Sequence, residues 1–321
     1  LNTRLYQIDK ANRLGEIPVP ESGLGSLPGD ELHWLDINAA DQDAAEEFLR
    51  PFSLDERVLA ECFLVDEGPR VGTYGDKLVI RFPVRMDVGS TNPDSVALIC
   101  SPTMLITISS TSQAYFEPLI HDLANSHPIP RRSIPALVFK LLEFATEDVV
   151  PKLLNARNRI VNLTDQIDDD ADAVDVGEIL HLKQAVGRIA IVWEDQLYCA
   201  TTLLSWESDI FNVSETRDYY RDLVGGLTSG HRLILRLEQR LQDLNQHYQL
   251  HLDSITSKRL RILTVLSAVY LPSTLIAAIY GMNFTNIPIV GMDYGYFIIL
   301  AFMVFLVAGQ LGYFYFRGWF S

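Results

Sequence analysis

The chain is poor in cysteine, and what it has is scattered. Cys62, Cys100 and Cys199 are odd in number and form no Cys-x-x-Cys pair. That excludes a disulfide framework and a cysteine-based structural zinc site, and it suits a reducing compartment. All three read as small buried apolar residues. Catalytic signatures are missing as well: there is no Gly-x-Ser-x-Gly, no glycine-rich phosphate loop and no His-Glu-x-x-His. The chain is therefore not expected to be an enzyme or to hold a resident cofactor. Basic residues are few, 26 Lys and Arg against 41 Asp and Glu. Without clustered Lys and Arg to neutralise phosphates, nucleic acid is not an expected partner.

The most informative absence is that of charge near the C-terminus. Ile262 to Tyr280 (ILTVLSAVYLPSTLIAAIY) is 19 residues without a charge, and Tyr296 to Phe316 (YFIILAFMVFLVAGQLGYFYF) is another 21. As helices they extend roughly 28 and 31 Å, against about 30 Å for the hydrocarbon core of a bilayer. Two membrane spans are the expectation. From Lys258 onward the charged residues are Lys258, Arg259, Arg261, Asp293 and Arg317, a net of +3 in a chain of −15, so residues 1–257 carry −18.

The basic residues flank the spans on one side. Lys258, Arg259 and Arg261 precede the first and Arg317 follows the second, while the segment 281–295 between them has no Lys or Arg and only Asp293. Positive-inside logic then places both termini in the cytoplasm and the connecting loop outside, and the expected localisation is the inner (plasma) membrane, as a multi-pass protein. Tyr313, Tyr315, Trp319 and Phe320 form an aromatic anchor at the inner interface.

Residues 1–130 read as a cytoplasmic α/β domain. Glu31 to Asn38 is a strand, followed by an amphipathic helix from Gln42 to Phe52 and a second one, capped by Ser53, through Leu64. Val71–Tyr74 and Lys77–Val84 alternate around Gly75-Asp76 as a hairpin, and Ser95–Cys100 pairs with Met104–Ser109. A helix from Gln113 to Asn125 closes the domain before His127-Pro128-Ile129-Pro130.

Residues 131–213 read as a long helical hairpin. One helix runs from Ile134 to Ile167 and is expected to kink at Pro151; the return helix runs from Val176 to Ile210. The acidic run between them (Asp165, Asp168 to Asp170, Asp172 and Asp175) is a solvated turn or a means of concentrating cations. A third helix, residues 214–280, starts at Ser214 as N-cap and continues without a clear stop into the first span at 262–280. Gly225, Gly226 and Gly230 weaken it locally. Residues 281–295 are the loop, 296–316 the second span and 317–321 the tail. A helix of that length must pack against partners in an oligomer.

Along this third helix Gln246, Gln249, Asp253, Ser257, Leu260, Ser267, Leu271 and Thr274 recur at intervals of three and four, with Leu263 or Thr264 filling the one skipped turn. That spacing marks one helical face. It fits either a pore-lining stripe or an ordinary helix with polar residues scattered through it. His247 and His251 share a face at i, i+4 and offer two zinc ligands with no third identifiable; an exposed stalk is the commoner reading.

Tyr280-Gly281-Met282-Asn283-Phe284 directly follows the first span. Placed there, the motif makes the chain resemble the CorA family of divalent-cation channels. Pro272, Thr274 and Ala277 resemble the family's first span, and Tyr219-Tyr220-Arg221-Asp222, the helical hairpin and the α/β domain fall in the family order. The resemblance covers essentially the whole chain. It implies a funnel-shaped homopentamer in the membrane, with Gly281, Met282 and Asn283 forming the selective outer mouth. Mg²⁺ is the implied substrate and regulatory ligand, with Co²⁺ or Ni²⁺ as further cargo. The related ZntB transporters, which move Zn²⁺, some coupled to protons, are the alternative; Met282 leans away from them, since Val is frequent there.

The same resemblance lays the stripe along a pore. Thr274 becomes a polar ring, Leu271, Leu263 and Leu260 constrictions, and Ser257 and Asp253 polar rings below, with Gln246 where an acidic ring is usual. Ser267 and Gln249 belong to the same face. Lys258, Arg259 and Arg261 stand for the basic collar, and Asp222 with Asp87 for a regulatory Mg²⁺ site between subunits. Two departures stand out. The outer loop Thr285–Val290 carries no acids, and the tail Arg317 to Ser321 lacks a run of lysines.

Overall fold

The computed structural model describes residues 2–20, 27–28, 31–38, 42–49, 54, 56–63, 68–85, 93–109, 115–170, 175–282, 289 and 292–319. The chain divides into two compact units, Leu1–Asp243 and Leu244–Ser321.

The first unit is built on a seven-stranded sheet. Its strands are β1 (Asn2–Ile8), β2 (Leu14–Ile17), β3 (Leu32–Asn38), β4 (Arg70–Tyr74), β5 (Lys77–Arg85), β6 (Asp94–Cys100) and β7 (Met104–Ser109). They lie in the order β2-β1-β3-β7-β6-β5-β4. Only the β3–β7 pair is parallel; the other pairs are antiparallel. The expected β4–β5 and β6–β7 hairpins form, with Gly75 at φ 60° supplying the left-handed residue of the β4–β5 turn.

The β1–β2 hairpin was not expected. Its turn is built by Asp9, whose Oδ1 accepts the backbone N–H groups of Ala11 (2.7 Å) and Arg13 (2.8 Å), and by Asn12 at φ 61°. Asp and Asn at those positions are the sequence signal for such a turn.

Alternate side chains of the inner strands enter two different cores. Trp34, Leu78, Ile80, Phe82, Val96 and Leu98 face one way, towards α3 (Glu117–Asn125), α4 (Ile134–Asp170) and α5 (Val176–Leu204). Leu35, Ile37, Val79, Ala97, Ile99 and Ile106 face the other, towards α1 (Gln42–Leu49) and α2 (Glu56–Phe63). Helices on both sides explain why these strands are apolar throughout.

Helix α4 continues through Pro151 and ends at Asp170, three residues beyond expectation. The N-cap of α5 is Asp175, whose side chain accepts the Gly177 N–H at 2.8 Å. That helix stops at Leu204 rather than Ile210. Ser205 Oγ donates to the Thr202 carbonyl, Ser208 Oγ accepts the Phe211 N–H, and a β-bridge joins Glu207 to Asn212. These hydroxyls compete with the helical ladder. Phe211 and Val213, in the connection between the helices, fill the core. Helix α6 (Arg217–Tyr280) begins after Thr216 rather than after Ser214. The Ser214 N–H is taken by Asn212 Oδ1, and it is the Thr216 carbonyl that accepts from Tyr220.

The start of α6 is anchored deeply. Tyr220 is fully buried, and its hydroxyl donates to the Pro135 carbonyl at 2.9 Å. Further along, the indole N–H of Trp193 donates to the Leu227 carbonyl at 2.7 Å. Near Trp193, burial and the neighbouring Glu194 raise the Asp195 carboxyl from 3.8 to about 6. The folded state therefore holds this proton more tightly than the unfolded chain, and lowering the pH from 7 through 6 favours folding at this site. Asp195→Asn is expected to raise the thermal midpoint at pH 7.5 and to lose that advantage by pH 5. A scan of unfolding against pH checks both.

Candidate functional site

The second unit comprises the C-terminal part of α6 and α7 (Gly295–Phe316). Both helices are long and apolar enough to cross a membrane. They meet through one face of α6: Val265 and Val269 are buried, and with Ile262, Leu266 and Ser273 they line a cavity of about 350 Å³ opposite Val307, Leu311 and Trp319. Trp319 reaches that cavity because Gly318, at φ 70°, ends α7. The Trp319 N–H donates to the Phe314 carbonyl and the Gly318 N–H to the Tyr315 carbonyl. A left-handed glycine with this bond pattern is a Schellman cap. Arg317 lies over the Tyr313 ring at 5.7 Å. Phe320, named in the aromatic anchor, lies outside the described residues.

The stripe occupies another face. Gln246, Gln249, Asp253, Ser257, Leu260, Leu263, Ser267, Leu271 and Thr274 are all exposed, Leu271 at 68%. At 3.6 residues per turn, its part from Leu260 to Thr274 lies roughly 140° around α6 from the face that meets α7. The chain's own packing thus leaves the stripe uncovered. Two hydroxyls near it are already oriented: Thr274 Oγ1 donates to the Tyr270 carbonyl and Thr264 Oγ1 to the Leu260 carbonyl, both at 2.8 Å. A threonine that spends its proton on the i−4 carbonyl has only lone pairs left to present outward.

The motif residues divide between described and not. The Gly281 N–H still donates to the Ala277 carbonyl at 2.9 Å, and its φ is not left-handed, so it closes α6 rather than reversing the chain. A Cβ there would lie 3.2 Å from the Ala277 oxygen, a tight fit. Met282 is 50% exposed. Asn283 lies outside the described residues.

Sequence reasoning missed the entry to α7. A Cβ on Gly295 would fall 2.1 Å from the Ile289 carbonyl oxygen, and Ile289 has φ 76°. Glycine is required there by the close approach of backbone. Gly295→Ala is expected to disturb the loop and lower the yield of folded oligomer, read by size-exclusion chromatography.

Of the two residues expected to form a regulatory site, Asp222 is exposed on α6 without a partner among the described residues, and Asp87 lies outside them. Lys258, Arg259 and Arg261 are exposed. His247 and His251 are exposed too, and among the described residues no three His, Cys, Asp or Glu side chains converge on a metal position.

The family described as CorA-like Mg²⁺ transporter protein matches residues 29–317. The chain belongs to the CorA family. It is 30% identical to the putative metal ion transporter YfjQ of Bacillus subtilis over 45% of this chain and 43% of that protein. It is 20% identical to the cobalt/magnesium transport protein CorA of Thermotoga maritima over 89% of this chain and 83% of that one. The complete structure of the CorA magnesium transporter from Methanocaldococcus jannaschii superposes with a TM-score of 0.82 at 17% identity, covering 99% of both chains. This is the same fold: an α/β domain, long helices and two C-terminal helices.

Proposed function

We propose that this CorA-family chain is one subunit of a homopentameric channel that admits divalent cations, Mg²⁺ foremost, into the cytoplasm. The observation that carries this reading is the exposed stripe on α6. It lies on a face that α7 does not use and leads towards Gly281-Met282-Asn283. Five copies arranged about an axis would cover the stripe and line a pore with it.

The chemistry of the stripe suits a hydrated ion. Mg²⁺ dehydrates reluctantly and keeps an octahedral shell of water. Water molecules of that shell donate outward, so the pore must accept. The outward lone pairs of Thr274 do so, as would a ring of Asn283 amide oxygens at the mouth. Leu271, Leu263 and Leu260 form apolar rings that close by dewetting, and Asp253 supplies an acidic ring below them. Thr274→Val keeps shape but removes the acceptors, and a several-fold loss of Mg²⁺ flux is expected in stopped-flow uptake.

Regulation follows the same carboxylate logic. Asp222 of one subunit and Asp87 of the next repel one another until Mg²⁺ bridges them, so occupancy holds the closed pentamer. Asp222→Ala is expected to weaken inhibition by cytoplasmic Mg²⁺. A current with unchanged Mg²⁺ dependence would remove Asp222 from the sensor. The cytoplasmic placement of both termini rests on Lys258, Arg259, Arg261 and Arg317. The proposal as a whole is tested by rescue of a magnesium-uptake-deficient strain. Growth at low Mg²⁺ is expected with the wild-type chain, and failure to grow despite membrane expression counts against it.

A further inference from the structure

In the first unit, a cavity of about 350 Å³ lies between α4, α5 and the end of β5. None of the pore, mouth or regulatory residues lines it. Its shape follows from the hairpin. Thr146 meets Gln196 at one end and Arg159 pairs with Glu178 at the other, so the helices run antiparallel and the cavity is a groove along their seam. Val84, Val149, Ala156, Leu182 and Ile189 give it aliphatic walls, and among the described residues Asn155 is its single neutral polar side chain.

The charges are the unusual feature. Arg85, Lys152, Arg159 and Arg188 line the groove, and among the described residues no Asp or Glu does. In a chain with 41 acids and 26 bases, that is a local reversal of sign. Arg85, Lys152 and Arg159 each have a carboxylate nearby, in Asp94 (3.8 Å), Asp148 (3.0 Å) and Glu178. Arg188 is partly buried and has no carboxylate partner among the described residues. A guanidinium held against apolar walls gains most from an anion within hydrogen-bond reach.

We propose that this groove binds a small amphiphilic anion, an aliphatic body carrying a phosphate or carboxylate head. The head sits against Arg188 and Lys152 and the body along the aliphatic walls. The volume falls within the range of small-molecule sites, about 300–1,000 Å³. Among the described residues no aromatic side chain lines the groove to stack a nucleobase, and one asparagine cannot satisfy its edges, so nucleotides fit poorly. Binding here would tie α4, α5 and β5 together.

The test is calorimetric titration of the full-length chain in maltoside micelles with hexyl phosphate. Hexanoate distinguishes the two head groups, and hexanol and inorganic phosphate probe each half alone. The expected result is one saturable site per chain, with hexanol, inorganic phosphate and the Arg188→Gln variant each binding at least about tenfold more weakly. Ala185→Leu, which fills the groove, is expected to abolish binding without changing thermal unfolding. The proposal is overturned if neither alkyl anion binds saturably, or if binding is equal in wild type and both variants. Transport is not the readout, so failure of the channel assignment leaves this result standing.

Discussion

Proteoliposomes carrying Asn283→Ala are expected to show Mg²⁺ flux at background, although the pentamers remain folded. The expectation rests on the match between the amide and the ion. A carboxamide oxygen offers lone pairs to the water shell of Mg²⁺ without the charge that would strip it. Alanine offers a methyl group, and a ring of methyl groups at the mouth leaves the outward-pointing water protons of the approaching ion unpaired. Asn283 has few substitutes nearby, because the segment Thr285–Val290 contains no acid that would capture cations in its place. Asn283→Asp separates the effect of charge from that of a neutral acceptor. If charge alone matters, aspartate restores or raises flux; if the neutral acceptor matters, it binds the ion and slows its passage. Undiminished flux in Asn283→Ala would sink the mouth assignment.

Gly230→Ala is expected to be the most damaging small substitution outside the membrane. A Cβ at that position would lie 2.0 Å from Cζ2 of Trp193, 2.6 Å from Cε2 and 2.9 Å from Cη2. The indole is buried and cannot yield without giving up its 2.7 Å bond to the Leu227 carbonyl. Overpacking costs about 1–3 kcal/mol, and an orphaned buried indole N–H costs about 1–3 kcal/mol more. Alanine returns about 1 kcal/mol through its higher helix propensity. A net loss of about 3 kcal/mol is expected in denaturant unfolding of the intact chain. Pairing Gly230→Ala with Trp193→Leu should recover most of it, because the two residues share one contact. Equal losses in single and double variants would show that the close approach of α5 and α6 is not what Gly230 serves.

Gly230 also marks a limit of local sequence pattern. Gly225, Gly226 and Gly230 look alike as breaks in a helical pattern, yet only Gly230 has a neighbour within 4 Å of its missing Cβ. The partner is 37 positions away on another helix, and no local pattern contains it. The spans were legible because so long an uncharged run is rarely tolerated outside a bilayer. The β4–β5 and β6–β7 pairs were legible because alternation and turn residues are local. The β1–β2 hairpin is equally local, but its turn is marked only by Asp9 and Asn12, with no glycine between them. The end of α5 was hidden for another reason. Trp206, Ile210 and Phe211 continue an apolar rhythm, while the Ser205 and Ser208 hydroxyls that stop the helix are weak signals alone.

The candidate site shows the same division. Periodicity assigned Gln246 to Thr274 to one face of α6, and the backbone places them there, exposed. That the face stays uncovered depends on which side α7 takes, which periodicity in α6 alone does not specify. The proton of Thr274 is committed inward to Tyr270, and only the structure shows it. The requirement for glycine at 295 arises from the carbonyl of Ile289, six residues back, and has no signature beyond the letter itself.

One measurement bears most directly on the central claim that five exposed α6 stripes line a path for divalent cations. It is ion flux into proteoliposomes of the purified wild-type chain under an inside-negative potential, compared for Mg²⁺, Co²⁺, Ni²⁺ and Zn²⁺ with and without a pH gradient. The account predicts Mg²⁺ entry driven by the potential and indifferent to the pH gradient. Entry of Zn²⁺ alone, only when protons flow, or no flux of any of the four ions, would contradict it.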